Sequence, residues 1–305
     1  MRGTPERYVD GLPRPTRCLV MGVVNTTPDS FSDGGLYLAR DRAVARGLDL
    51  AAQGADLVDV GGESTRPGAE RVPLDVEIDR VLPVVTTLAE HGLRVSVDTM
   101  RADVARAAVA AGAVMVNDVS GGRADPLMLR TVAELGVPYV LMHWRSHSAT
   151  MQQHTTYGDV AVDVTHELAE QLRAAVAAGI EPGRIAVDPG IGFAKTAEQN
   201  WEVLAHLDTV KALGHPVLVA TSRKRFLGEL LADEDGLRAP VDRDDASAAT
   251  SALAAAQGAW CVRVHTVRPS ADAVRVAARW AAGVRAPGER AAEGHSAEAA
   301  KGLVQ

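Results

Sequence analysis

Cysteine is almost missing from this chain of 305 residues: only Cys18 and Cys261 occur, and neither stands in a CxxC or Cys/His spacing. That excludes a structural zinc ribbon and a disulfide scaffold, and it reads both thiols as small buried hydrophobes. Aromatic residues are also scarce, with three Phe, four Tyr and four Trp. A sandwich core built on aromatic pairs is therefore disfavoured against helices packed on a parallel sheet. There is no apolar run of about 18 residues that could cross a bilayer, and the opening MRGTPERYVDGLPRP lacks the apolar centre of a secretion signal. The expectation is a soluble cytoplasmic protein without membrane contact. Positive charge is not in excess either. A formal net charge of −7 argues against a general nucleic-acid binder, while leaving room for a local cationic pocket.

What is present is aliphatic: 47% of the residues are hydrophobic. They fall in short runs separated by helix-like stretches, the mark of successive βα units. In order the runs are CLVMGVV from Cys18, DLVDV from Asp56, RVSV from Arg94 and AVMV from Ala113, then YVLM from Tyr139, RIAV from Arg184, PVLVA from Pro216 and WCVRV from Trp260. Between them, DRAVARGLDLAAQGA and ADVARAAVAAG end in Gly54 and Gly112, and DPLMLRTVAELG offers Asp125 as an N-cap, Pro126 in the first turn and Gly136 at the end. Eight such units predict an α/β fold, a single (β/α)8 TIM barrel over residues 17–285 with its active site at the C-terminal ends of the strands. A doubly wound sheet is the alternative. Polar, proline-rich residues 1–16 are expected to be a flexible lead-in, and residues 286–305, which lack an apolar face, a disordered tail.

In a barrel the working residues stand where strands end. Those positions here are strongly polar: Asn25, Glu63–Pro67, Asp98, Asn117 and Asp118, His143 and Arg145, Asp188, Ser222–Lys224, and Arg263 with His265. A single Asn or Asp after a strand is an ordinary turn residue, but eight polar ends on one rim are not explained by turns alone. Asp98, Asn117 and Asp188 supply acceptors suited to the edge of a flat amino-substituted heterocycle, whereas Lys224, Arg263, Arg66 and His265 suit an anionic group. The pocket therefore reads as an acceptor-rich floor beside a cationic side, fit for a nucleotide-like or pterin-like molecule with an anionic tail. Two tempting motifs fail. GIGFAKT has Ala194 before Lys195 and lacks the glycine spacing of a P-loop, and no GxGxxG follows a strand.

The strings MGVVNTTPDSFSDGG, VDVGGESTRPGA, VSVDTMRADVARAA, VNDVSGG, LMHWR, DPGIGFAKT, SRKRFLG and VRVH closely resemble, in order, those of the dihydropteroate synthases, pterin-binding barrel enzymes of folate synthesis. The resemblance runs from about Cys18 to Trp280, with mild departures at Thr26, where the family often has Val, and at Thr221. It implies condensation of p-aminobenzoate with 6-hydroxymethyl-7,8-dihydropterin diphosphate. Asp98, Asn117, Asp188 and Lys224 would hold the pterin, beside Met142 and Phe193. Arg263 and His265 would bind diphosphate, on which Asn25 would help place Mg²⁺. Phe31, Thr65, Arg66, Pro67 and Ser222 would form the p-aminobenzoate side.

By the same resemblance, the polar stretch after the first strand is a mobile loop. It closes with the loop of Ser64–Pro67, bringing Asp33 near the reacting carbon, and Gly34 and Gly35 permit the motion. Asp33, Lys224, Arg263 and His265 are the implied catalytic set, in a homodimer inhibited by sulfonamides that imitate p-aminobenzoate. The alternatives are a catalytically silent pterin-binding paralogue and, further off, a methyltetrahydrofolate:corrinoid methyltransferase, whose cobalamin-binding DxHxxG string is not in this sequence.

Overall fold

The structure, a computed structural model, describes residues 7–26, 36–66 and 68–283. Eight strands alternate with helices in this part of the chain: β1 Leu19–Asn25, β2 Leu57–Gly61, β3 Val95–Asp98, β4 Met115–Asp118, β5 Tyr139–Met142, β6 Ile185–Asp188, β7 Leu218–Val219 and β8 Cys261–Val264. The helices are α1 Leu36–Ala52, α2 Leu74–Glu90, α3 Ala102–Ala110, α4 Met128–Leu135 and α5 Val160–Ala177, then α6 Ala197–Ala205, α7 Leu207–Lys211, α8 Arg225–Leu230, α9 Asp244–Ala256 and α10 Val267–Ala282. All paired strands are parallel, in the order β6-β5-β4-β3-β2-β1-β8-β7. A parallel bridge between Val187 and Val217 joins the two ends of that list and closes the barrel. The eight predicted runs each become one strand, and the doubly wound alternative falls with the closure. No described helix is long and apolar enough to cross a membrane.

Side chains alternate across each strand, and the two faces have different jobs. The outward set, including Val20, Val58, Val97, Leu141, Val187 and Val262, packs in one large cluster with the helices. The inward set changes character along the barrel axis. At the N-terminal end Leu19, Leu57, Met115, Val140, Leu218 and Cys261 share an apolar plug. Two residues further along their strands stand Asp59, Asn117, Met142 and Arg263, and Asn117 and Met142 are in register with the strand-end carboxylates Asp98 and Asp188. The barrel is thus greasy below and charged above, which places the polar groups at the mouth.

The lead-in requires a correction. From Arg7 onward it is packed, because Val9 and Leu12 bury themselves in the apolar plug beside Trp260. Asp10 N–H donates to the Gly183 carbonyl at 2.9 Å, and the Tyr8 hydroxyl to the Pro15 carbonyl at 3.1 Å. The segment stoppers the open bottom of the barrel. Asp125 does more than expected: α4 starts three residues later, Asp125 Oδ1 accepts the N–H of Leu127 at 2.9 Å in the turn that leads into it, and Oδ2 accepts the N–H of Ala102, the first residue of α3, at 2.8 Å. Both cysteines are buried, as expected.

Deleting residues 1–12 should destabilise the barrel by about 3 kcal/mol or more, from exposing one Val and one Leu. Urea unfolding checks this, and an unshifted midpoint would contradict the packed stopper.

Candidate active site

The floor of the mouth is organised around Arg263. It sits on β8 in register with Met21 of β1, two residues before His265 on the same inward face, and is therefore one layer deeper. Its Nε donates to Asp59 Oδ2 and its Nη2 to Asp98 Oδ2, each at 2.6 Å. Asn117 Nδ2 donates to the same Asp59 oxygen at 2.9 Å. Burial opposes the charge on Arg263, but Asp59 and Asp98 overcome this and raise its pKa above the ordinary value. Burial also pushes Asp98 upward, against the pull of Arg263 and with the push of Asp59, Glu77 and Asp118. Asp188, at the end of β6, is likewise raised by burial, with Lys224 opposing, and its Oδ1 accepts the Gly190 N–H at 2.7 Å.

Beside these acceptors lies an apolar shelf. Met100, Val119 and Met142 form a small buried cluster separate from the main core, with Phe193 packed against it. The Nζ of Lys224 stands 4.9 Å from the Phe193 ring centroid and donates to the Ile191 carbonyl. Burial lowers the Lys224 pKa to about 8, with Asp188 opposing. A shelf with acceptors along one edge and an amine above is the surface a flat heterocycle carrying N–H groups requires.

The third part is a cationic corner. Ser222 Oγ accepts the His265 N–H at 3.1 Å and lies 3.1 Å from its Nδ1. Burial, then Arg263, Arg223, Arg66 and Lys224, lower the pKa of His265 to about 3. Arg223 has a positive φ of 60°, unusual for a side chain of its size. Its fork grips Asp244 at 2.7 and 2.8 Å, while its N–H donates to Ser247 Oγ and its carbonyl accepts from Arg243. This fixes the strained turn between Ser222 and Lys224.

The structure therefore brings together Asp98, Asn117, Met142, Asp188, Phe193, Ser222, Lys224, Arg263 and His265. Asn25 closes β1 on the same rim, in register with Gly61. Thr65 is half-buried and Arg66 exposed on the loop after β2, which is tethered by Gly68 N–H to the Ser148 carbonyl at 2.9 Å. Phe31, Asp33, Gly34, Gly35 and Pro67 lie outside the described residues. Two groups expected on the cationic side differ: Arg263 belongs to the floor, and His265 is neutral near pH 7. His143 and Arg145 turn away from the mouth to Glu167. Asp118 is structural, accepting from Ser120, Gly122 and the Tyr139 hydroxyl. Sequence reasoning missed Asp59, although a carboxylate inside the apolar run DLVDV was its signal.

An acceptor-edged shelf beside a cationic corner at the C-terminal mouth of a (β/α)8 barrel defines an enzyme for a flat amino-heterocycle with an anionic tail. Residues 21–265 match the sequence profile described as "Pterin binding enzyme", and the chain belongs to that family. It is 56% identical to the dihydropteroate synthase of Mycobacterium leprae over 263 residues, 86% of this chain and 93% of that one. Among solved structures it is similar to Xanthomonas albilineans dihydropteroate synthase with 4-aminobenzoic acid, with 48% identity, a TM-score of 0.80, and 89% and 94% of the two chains covered. The same enzyme with 7,8-dihydropteroate gives 45% identity, a TM-score of 0.78 and coverage of 89% and 95%. The Yersinia pestis synthase in complex with a sulfonamide drug gives 38%, 0.81, 88% and 97%.

His265 in the fold titrates at about 3 against an ordinary 6.5. The unfolded chain therefore binds the extra proton between those values, and stability falls as pH drops through that window. His265→Asn should flatten the dependence of unfolding free energy on pH near pH 5 by up to about 1.4 kcal/mol per pH unit. An unaltered slope would show that the histidine is not buried neutral.

Proposed function

We propose that the chain catalyses the dihydropteroate synthase reaction, joining p-aminobenzoate to 6-hydroxymethyl-7,8-dihydropterin diphosphate with release of diphosphate and 7,8-dihydropteroate. The observation that carries this reading is that Arg263, bonded to the floor carboxylates Asp59 and Asp98, stands two residues before His265 of the cationic corner and acts on its charge state. A substrate whose pterin and diphosphate are one carbon apart needs both subsites to touch. In this reading Asp98, Asn117 and Asp188 hold the pterin N–H edge, Lys224 donates to a ring acceptor, and Met142 and Phe193 face the ring. Arg263 keeps N–H donors beyond its two bonds, and with His265 it receives the diphosphate.

The reaction is a dissociative substitution. Diphosphate leaves a carbon attached to an electron-rich reduced ring, and the cation left behind is delocalised into that ring. Charge growing on the leaving group is what the corner stabilises, in the manner of a preorganised electrostatic site. An aromatic amine is unprotonated at neutral pH, so no general base is required to create the nucleophile. Thr65, Arg66, Ser222, Phe31 and Pro67 are assigned to the p-aminobenzoate side, and sulfonamides are expected to compete there. Loop closure, with Asp33 near the developing cation, would exclude water and leave the amine as the nucleophile.

Mg²⁺ belongs to the proposal as a companion of the diphosphate. Among the described residues no group of three or more His, Cys, Asp or Glu side chains could hold a metal ion. A donor set of one neutral amide oxygen, Asn25 Oδ1, suits an ion carried mainly by phosphate oxygens and water. When bound, it would add positive charge against the leaving group.

A cytoplasmic homodimer completes the reading. Leu253 of α9 and Val276 and Trp280 of α10 are each more than 60% exposed. Large apolar side chains left open on two neighbouring helices suit a second copy. Trp280→Glu should turn a dimer into a monomer by light scattering, and a wild-type monomer at micromolar concentration would remove this part of the proposal.

The reaction itself is tested by diphosphate release. Arg263→Ala and Lys224→Met should each lower kcat/KM by about a hundredfold or more, typical for loss of one electrostatic contact in a site. Turnover near wild type in either variant would refute the assignment.

A further inference from the structure

Lys195 is a buried lysine that the reaction does not use. It is 3% exposed, and among the described residues no carboxylate forms an ion pair with it, although buried cations are ordinarily paired. Its Nζ instead meets the carbonyls of Gly190 and Phe193, at 3.1 and 3.2 Å, and His143 Nδ1 at 3.2 Å. Burial lowers the Lys195 pKa to about 7, with Asp188 opposing, and a hydrogen-bond relay ties it to a carboxylate. His143 Nε2 contacts Glu167 Oε2 at 2.9 Å, and Arg145 holds the same carboxylate. Burial would raise Glu167, but hydrogen bonds from His143 and Arg145 win and bring it to about 2. Burial, then Lys195, lower His143 to about 3. The imidazole is therefore neutral, with Nδ1 accepting from Lys195 and Nε2–H donating to Glu167.

This relay ends inside the loop that follows β6. Gly190, Gly192 and Ala194 have φ of 69°, 81° and 48°, and this alternation curls the loop back on itself. Ala194 and Arg223 are the non-glycine residues with positive φ among the described residues, and each immediately precedes a lysine of this region. Such strain persists only where the surroundings over-determine it. Here four carbonyls of the loop are each claimed by a side chain: Gly190 and Phe193 by Lys195, Ile191 by Lys224, and Ala194 by the Tyr157 hydroxyl at 2.9 Å. Three groups of the floor depend on that conformation. Gly190 N–H binds Asp188, the Phe193 ring flanks the shelf, and the Ile191 carbonyl holds Lys224.

We propose that Lys195 is a positioning residue for the heterocycle subsite, setting Asp188, Phe193 and Lys224 by pinning the loop between them from behind. The proposal rests on the pterin reading of the site, and it separates the part of that subsite built by the β6 loop from the p-aminobenzoate and diphosphate sides, which are carried by the β1, β2, β7 and β8 ends. Lys195→Met keeps the length of the side chain and removes its donors. Tyr157→Phe removes the other anchor, and Glu167→Gln removes the far end of the relay.

The experiment measures the dissociation constant of the unreactive 6-hydroxymethylpterin by calorimetry on the full chain, together with steady-state kinetics for both substrates. Lys195→Met should weaken pterin binding by about tenfold or more, a loss of about 1.4 kcal/mol, with KM for p-aminobenzoate within about twofold of wild type on the same scale. A folded Lys195→Met variant that binds pterin as wild type does, or that loses both substrates equally, overturns the proposal. If that variant does not fold, Glu167→Gln and Tyr157→Phe decide it: each should weaken pterin selectively, and unchanged affinity in both overturns the role. A wild-type chain that binds pterin but releases no diphosphate with p-aminobenzoate contradicts the proposed reaction alone and leaves the Lys195 comparison intact.

Discussion

One half-buried arginine shared between two buried carboxylates sets the terms for the rest of this barrel. Arg263 cannot lie inside a strand layer unless its charge is met, and Asp59 and Asp98 meet it at 2.6 Å each. Removing one partner of such a group is costly, typically about 3–5 kcal/mol, because a charge is left without compensation. Asn117 is drawn into the same arrangement through Asp59. The acceptors proposed to read a pterin edge are thereby held rigid before any substrate arrives, which is the preorganisation that positioning catalysis needs.

The neighbouring loops repeat the device in weaker form. Arg223 fixes a strained turn through Asp244 and Thr266, and Lys195 fixes another through carbonyl oxygens. The loops after β6 and β7 are thus each fixed by a basic side chain, the first through its own carbonyls and the second through Asp244. The helices around the barrel supply bulk and burial, and these pairs supply geometry.

This division explains what could be read from sequence. The eight strands were legible because strands buried on both faces are continuous apolar runs, and helix ends such as Gly136, with φ of 61°, announce themselves by the conformation only glycine adopts freely. Polar strand ends were legible for the same reason, since nothing apolar hides them. Long-range pairing was not. Asp59 and Arg263 are 204 residues apart, and no local pattern says that an aspartate on β2 will neutralise an arginine on β8. The neutral state of His265 follows first from burial and then from cations brought together from β8, the β7 loop and the β2 loop, and Val9 and Leu12 are two isolated apolar residues whose burial shows only once the barrel has a bottom to close. Asp125 was read as a cap for the helix that follows it, and it accepts the Leu127 N–H there, but its second bond, to the first N–H of α3, could not be read locally.

The central claim is that Arg263 and Asp59 form an energetic unit beneath the site. The direct measurement is a double-mutant cycle on unfolding free energy with wild type, Asp59→Asn, Arg263→Gln and the double variant. The account predicts a coupling of about 2 kcal/mol or more, as for contacting groups in one buried network. Effects that add to within about 0.5 kcal/mol would mean that the two residues are only neighbours, and that the floor owes its shape to something else.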